Sequence, residues 1–139
     1  MAKKTVKKGE DKKMPQMNYS AIIFGIGLAI VIIGALLSGA NVIEATMQKV
    51  VVGTLLVIGL VIGAINITQS EEIKFLIGSI AIIILLQPFL MTLAQTFSVQ
   101  DNITLMKIFQ AFFTNITSLI VPAAIIVALK AIFETAKDE

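Results

Sequence analysis

Residues 21–40, AIIFGIGLAIVIIGALLSGA, hold a single polar side chain, Ser38, in twenty positions. About 20 apolar residues make a helix long enough to cross the roughly 30 Å hydrocarbon core of a bilayer. The stretch is therefore read as a membrane span from about 20 to 40, and three more follow it. The second, 50–67, is interrupted only by Thr54 and Asn66. The third, 74–97, is apolar over 75–86, meets Gln87 and Pro88, and resumes over 89–97. It is read as one helix kinked at Pro88, since a spanning helix tolerates proline where neighbours satisfy the freed carbonyl. The fourth, 115–134, contains Pro122 and Lys130, whose long stem can carry its ammonium to the interface.

The composition agrees with this placement and closes off many kinds of chemistry. In 139 residues, 57% are hydrophobic and 14% charged, and the mean hydropathy is +0.94, too apolar for an ordinary soluble domain. There is no Cys and no His, so disulfides, thiolate or imidazole metal sites, and cysteine or histidine catalysis are excluded. None of the nine carboxylates lies near the middle of a long apolar stretch, where a proton-relay acid belongs. No catalytic residue, metal ligand or cofactor site is expected, and the chain is not read as an enzyme.

Before the last span, Thr104, Lys107, Ala111 and Thr114 return at three- and four-residue spacing and mark a narrow polar stripe on a helix. A continuous helix over 103–133 would measure about 46 Å, well beyond the hydrocarbon core. The spacing favours a separate interfacial helix over about 102–113, lying flat before the last span. One long tilted helix is the competing arrangement. The fold expected is all-α: a polytopic membrane protein of four transmembrane helices plus a short interfacial amphipathic helix before the last.

Lysine placement gives orientation, because positively charged loops stay cytoplasmic. Nine of the eleven Lys lie in the amino-terminal tail, around 71–74 or toward the carboxyl end (Lys130 and Lys137), against Lys49 and Lys107 on the other side. Both termini are expected in the cytoplasm, with the protein multi-pass in the cell membrane. The apolar run at 21–40 exceeds the hydrophobic region of a secretory signal, so it is kept as a span. The tail, 1–18, carries Lys3, Lys4, Lys7, Lys8, Lys12 and Lys13 without apolar periodicity. It reads as disordered and suited to an anionic lipid surface. No aromatic residue interleaves with these lysines, which speaks against nucleic acid.

Helix association in lipid depends on close backbone approach and on interhelical hydrogen bonds, so small residues become informative. Gly59 and Gly63 form a Gly-xxx-Gly pair that Asn66 extends, serving either packing within one bundle or a contact between subunits. The first span carries two small stripes, Ala21, Gly25 and Ala29 on one side and Gly27, Gly34 and Ser38 nearly opposite. Two such surfaces favour lateral self-association, though glycine is also common in spanning helices.

The amides and hydroxyls admit two readings. Gln87, Gln95, Asn115 and Thr117 would line a water-filled path if they converged on one axis, and otherwise bond to neighbouring helices or to their own backbone. Thr68 and Glu71 have capping-box spacing, and Glu72 adds charge near the positive end of that helix. A cation site at Glu71 and Glu72 is the sharper alternative. Of four Asn-x-Ser/Thr triplets, only Asn102 is placed for glycosylation on the non-cytoplasmic side.

Two segments, 63–68 continuing through Glu71, Glu72, Phe75 and Leu76, and 121–130 (VPAAIIVALK), resemble patterns in small uncharacterised archaeal membrane proteins. The resemblance covers about a quarter of the chain and implies membrane residence without a mechanism. The residues together lead to a non-enzymatic integral membrane protein that self-associates through small-residue helix faces, with membrane lipid and further copies of itself as partners and no small-molecule substrate identified from the residues. The alternative is a small oligomeric channel or transporter subunit.

Overall fold

The computed structural model describes residues 19–65, 69–97 and 103–138. These form four helices in chain order: α1 (Tyr19–Gly39), α2 (Ala45–Ala64), α3 (Gln69–Thr96) and α4 (Ile103–Lys137), with no strand among the described residues. All four are long and apolar enough to cross a membrane. Large apolar side chains stand exposed along each of them, Ile33, Val57, Ile84 and Ile132 among others. In water such a surface would aggregate; in hydrocarbon it is the solvated face. The chain is a multi-pass integral membrane protein.

α4 organises the bundle. Its backbone runs close to each of the other three helices, α1 and α2 also meet each other, and among the described residues α3 runs beside α4 alone. The buried stripe of α4 is Asn115, Leu119, Pro122, Ala123 and Val127, at helical spacing. Against it Val31 of α1 and Leu55 and Ile62 of α2 complete the core.

Glycine permits this packing. A Cβ on Gly59 would run into the carbonyl oxygen of Leu119 and stand 2.7 Å from Pro122 Cγ; one on Gly63 would stand 2.7 Å from the Ala123 carbonyl oxygen. Residue numbers on α2 and α4 rise together, so those helices are parallel. On α1, a Cβ at Gly27 would meet Leu119 Cδ1 at 2.9 Å, and one at Gly34 would meet Asn115 Nδ2 and Val51 Cγ1, each at 3.1 Å. One at Gly39 would collide with Ile108. Here the numbers run in opposite directions, and α1 is antiparallel to α4.

α1 closes with a Schellman motif. Val42 N–H donates to the Leu37 carbonyl and Asn41 N–H to the Ser38 carbonyl, with Asn41 at φ 55°, a left-handed position that asparagine tolerates. The Asn41 side chain then accepts a 3.0 Å hydrogen bond from Lys107 Nζ of α4.

The segment expected as a flat interfacial helix over 102–113 is not separate from the last span. Ile103–Lys137 is a single helix of 35 residues, about 52 Å long. No glycine or proline precedes Pro122 in it, and the Thr114 hydroxyl bonds back to the Gln110 carbonyl, so nothing breaks the backbone ladder between 113 and 115. The polar stripe behind that expectation is real, and its residues Lys107, Ala111 and Thr114 line a cleft beside the α1–α2 turn.

Because the Leu119 carbonyl belongs to the backbone, the protein cannot absorb a methyl group at Gly59. Gly59→Ala is expected to destabilise the bundle by about 1–3 kcal/mol, whereas Gly53→Ala, where a Cβ meets nothing within 4 Å, should be neutral or slightly stabilising through helix propensity. Unfolding of the two variants in the same detergent measures this. Equal stabilities would show that the α2–α4 approach is looser than described.

Candidate functional site

Three polar constellations lie within the apolar bundle, and all involve α4. The first is buried. Asn115 is fully enclosed; its Nδ2 donates to the Val31 carbonyl of α1 at 3.4 Å, and its Oδ1 accepts from Gln48 Nε2 of α2 at 3.0 Å. Gln48 Oε1 in turn accepts from the Ser38 hydroxyl at 2.5 Å. An amide suits this position because it donates and accepts at once, linking three helices with one side chain. Sequence reasoning placed Asn115 among path-lining residues and did not single out Gln48, which sits just outside the apolar run of the second span.

The second joins α3 to α4 at one end of the bundle. Lys130 Nζ stands 3.1 Å from Glu72 Oε1, and the Glu72 side chain is 5% exposed against 38% for Lys130. That oxygen is buried and accepts no directional hydrogen bond from the described residues, so the contact is an ion pair rather than a well-aligned bond. Glu71 and Glu72 both lie in the first turn of α3, where their expected charge acts on the helix start, and Glu72 in addition turns inward to α4 while Glu71 is exposed. Thr68, the proposed capping partner, lies outside the described residues. No group of three or more acidic residues suited to a metal occurs among the described ones.

The third is a cleft of about 720 Å³ between α3 and α4. Gln87 of α3 and Gln110, Thr114, Thr117 and Ser118 of α4 supply its polar wall. Its depth follows from register. Glu72 faces Lys130 and Phe89 packs edge-on against Phe113, with ring centroids 5.8 Å apart. Both pairs give the same antiparallel alignment, in which Ile84 lies level with Ser118. The contacts of Gly27 and Gly59 put the midpoints of α1 and α2 at about the same level. The cleft thus lies near the middle of the spanning region. On the other side of the α3–α4 contact is an apolar cleft of about 660 Å³, walled by Ile82, Pro88, Phe89 and Phe112 among others.

The candidates read from sequence are therefore divided. Gln87 and Thr117 share the polar cleft, Asn115 is enclosed in the core, and Gln95 is exposed on α3 away from both clefts. Gly27, Gly34, Gly59 and Gly63 pack within the chain, and Ser38 bonds to Gln48. Ala21, Gly25 and Ala29 face outward. Asn66, Asn102 and the lysines Lys3, Lys4, Lys7, Lys8, Lys12 and Lys13 lie outside the described residues.

Breaking the buried relay is expected to cost stability in a coupled way. Asn115→Leu and Gln48→Leu should each destabilise by about 1–2 kcal/mol, and the double variant by clearly less than the sum. Strict additivity would mean that the two amides do not interact. At the other constellation, Lys130→Met leaves Glu72 buried beside an apolar chain and should cost about 1–3 kcal/mol. Adding Glu72→Gln should recover much of that loss in the same unfolding assay; no recovery would remove the pair from the account of α3 docking. No protein-family model, curated protein or solved structure matches this chain.

Proposed function

We propose that the protein is a non-enzymatic membrane component that assembles with copies of itself, acting as a structural or organising unit of the cell membrane. The observation that carries this reading is the outer face of α1, where Ala21, Gly25 and Ala29 are exposed and a Cβ on Gly25 would meet nothing within 4 Å. Lipid offers no apolar driving force for helix contact, so a face where backbones can approach closely is the kind on which a second copy can dock. The inward small stripe of α1 is already occupied by α2 and α4; the outward one is available. The lysine distribution supports a topology with both termini cytoplasmic, and the basic tail would then lie near an anionic leaflet.

A channel or transporter subunit is the second reading. It is favoured by Gln87 and Thr117 meeting in one polar cleft at mid-depth.

Mass measurement of the protein in mild detergent or lipid discs tests the first reading. A defined oligomer is expected, reduced toward monomer by Gly25→Leu and Ala29→Leu but not by Ile33→Leu on the same helix. A particle that is monomeric throughout would defeat it. Solute flux into liposomes tests the second, which fails if the reconstituted protein passes nothing.

A further inference from the structure

The polar cleft between α3 and α4 does not end at its own walls. Gln110 and Thr114 also wall a second cleft, of about 430 Å³, together with Ser38, Asn41, Gln48 and Lys107. The two adjoin along α4, one beside the α1–α2 turn and the other at mid-depth. Thr114 and Ser118 satisfy their hydroxyl protons on their own helix. The amides of Gln87 and Gln110 and the hydroxyl of Thr117 have no hydrogen-bond partner among the described residues.

The backbone adds to this demand at the same level. Pro88 and Pro122 lack the N–H that would bond the carbonyls four residues before them, those of Ile84 and Ser118. Both residues wall the mid-depth cleft, and they lie level with each other. Two helices thus each lose a ladder bond where three side-chain groups also lack partners. Hydrocarbon can satisfy none of them. The cleft is an open groove rather than an enclosed cavity, with Gln87, Gln110 and Thr114 exposed in it, and it has room for water beside several donors and acceptors.

Toward the Glu72–Lys130 end the polar lining stops. From Val121 to Leu129, α4 carries only apolar side chains, and between Phe75 and Leu86 the sole polar side chain of α3 is the buried Ser79. We infer that the two clefts form a water-filled half-channel, open beside the α1–α2 turn and ending at Gln87 and Ser118 in the middle of the membrane. Among the described residues, Lys107 at its mouth is the only ionisable side chain on its walls, so it holds water and small uncharged solutes rather than cations. The inference rests on the four-span membrane reading and is independent of self-association.

The chain has no cysteine, so each single substitution supplies one thiol. Thr114→Cys, Thr117→Cys and Ser118→Cys are reconstituted in sealed vesicles and exposed from either side to a charged, membrane-impermeant thiol reagent. Val42→Cys in the exposed turn and Asp138→Cys beyond α4 report the two surfaces, and Ile125→Cys reports lipid. All three cleft thiols are expected to react from the Val42 side. Ile125→Cys should react at least about a hundredfold more slowly, because a thiol in hydrocarbon does not ionise. If Val42→Cys reacts while Thr117→Cys and Ser118→Cys do not, the half-channel is refuted and the membrane topology stands. Equal reaction from both sides would replace it with a through-path. Disulfide crosslinking between copies at Thr117→Cys would mean that a second copy fills the cleft, and would equally overturn it.

Discussion

Leu119 is where the bundle is held together. Its side chain lies against Gly27 of α1 and its carbonyl oxygen against Gly59 of α2, while the residue itself is 1% exposed. In water such a junction would be stabilised chiefly by removing apolar surface from solvent. In lipid that term vanishes, because the exterior is as apolar as the core. What remains is dispersion between atoms in close contact and hydrogen bonding across helices, and both require short interaxial distances. Glycine at 27, 34, 59 and 63 supplies the short distances, and the Ser38–Gln48–Asn115 relay uses them. Contact and relay depend on each other: without the close approach the amides could not reach across three helices.

α3 is held differently. It shares none of the glycine contacts, and its only buried residues among those described are Glu72 and Ser79. Its attachments to α4 are an ion pair near one end, an aromatic contact between Phe89 and Phe113, and Phe75 against the main core. With so few points of contact the two helices cannot close along their length, and clefts form on either side. The polar cleft is thus a consequence of how α3 docks, and the residues lining it follow from the stripe that α4 carries past Asn115.

Much of the fold was legible from the sequence because hydropathy over twenty residues and bilayer thickness are the same measurement in different units. The two small stripes of the first span were legible for a similar reason, since two residues rotate a helix by about 200° and one stripe had to face away if the other faced in. The continuity of α4 was not. The polar stripe from Thr104 to Thr114 has the same spacing whether a helix lies on headgroups or lines a cleft, and only the positions of Asn41 and Gln48 decide between the two. The Glu72–Lys130 pair escaped notice because 58 positions separate its members and each had a sufficient local explanation, one as a capping acid and the other as an interfacial anchor. Gln48 escaped because it lies outside the apolar run, although α2 begins at Ala45 and carries it into the bundle.

Asn115 and Thr114 show why spacing alone could not assign the polar residues. They are neighbours in sequence, yet a helix turns about 100° between them. Asn115 points to α1 and α2, where both ends of its amide are bonded; Thr114 points to the clefts, where its hydroxyl turns back on its own helix. One turn later on the first face comes Leu119, and on the second Thr117 and Ser118. Buried polar groups that find partners bind the bundle together, while polar groups that face an opening need something mobile to satisfy them. α4 carries both kinds on adjacent faces. It can therefore serve as the rigid centre of the protein and as the wall of a wet path, without either role weakening the other.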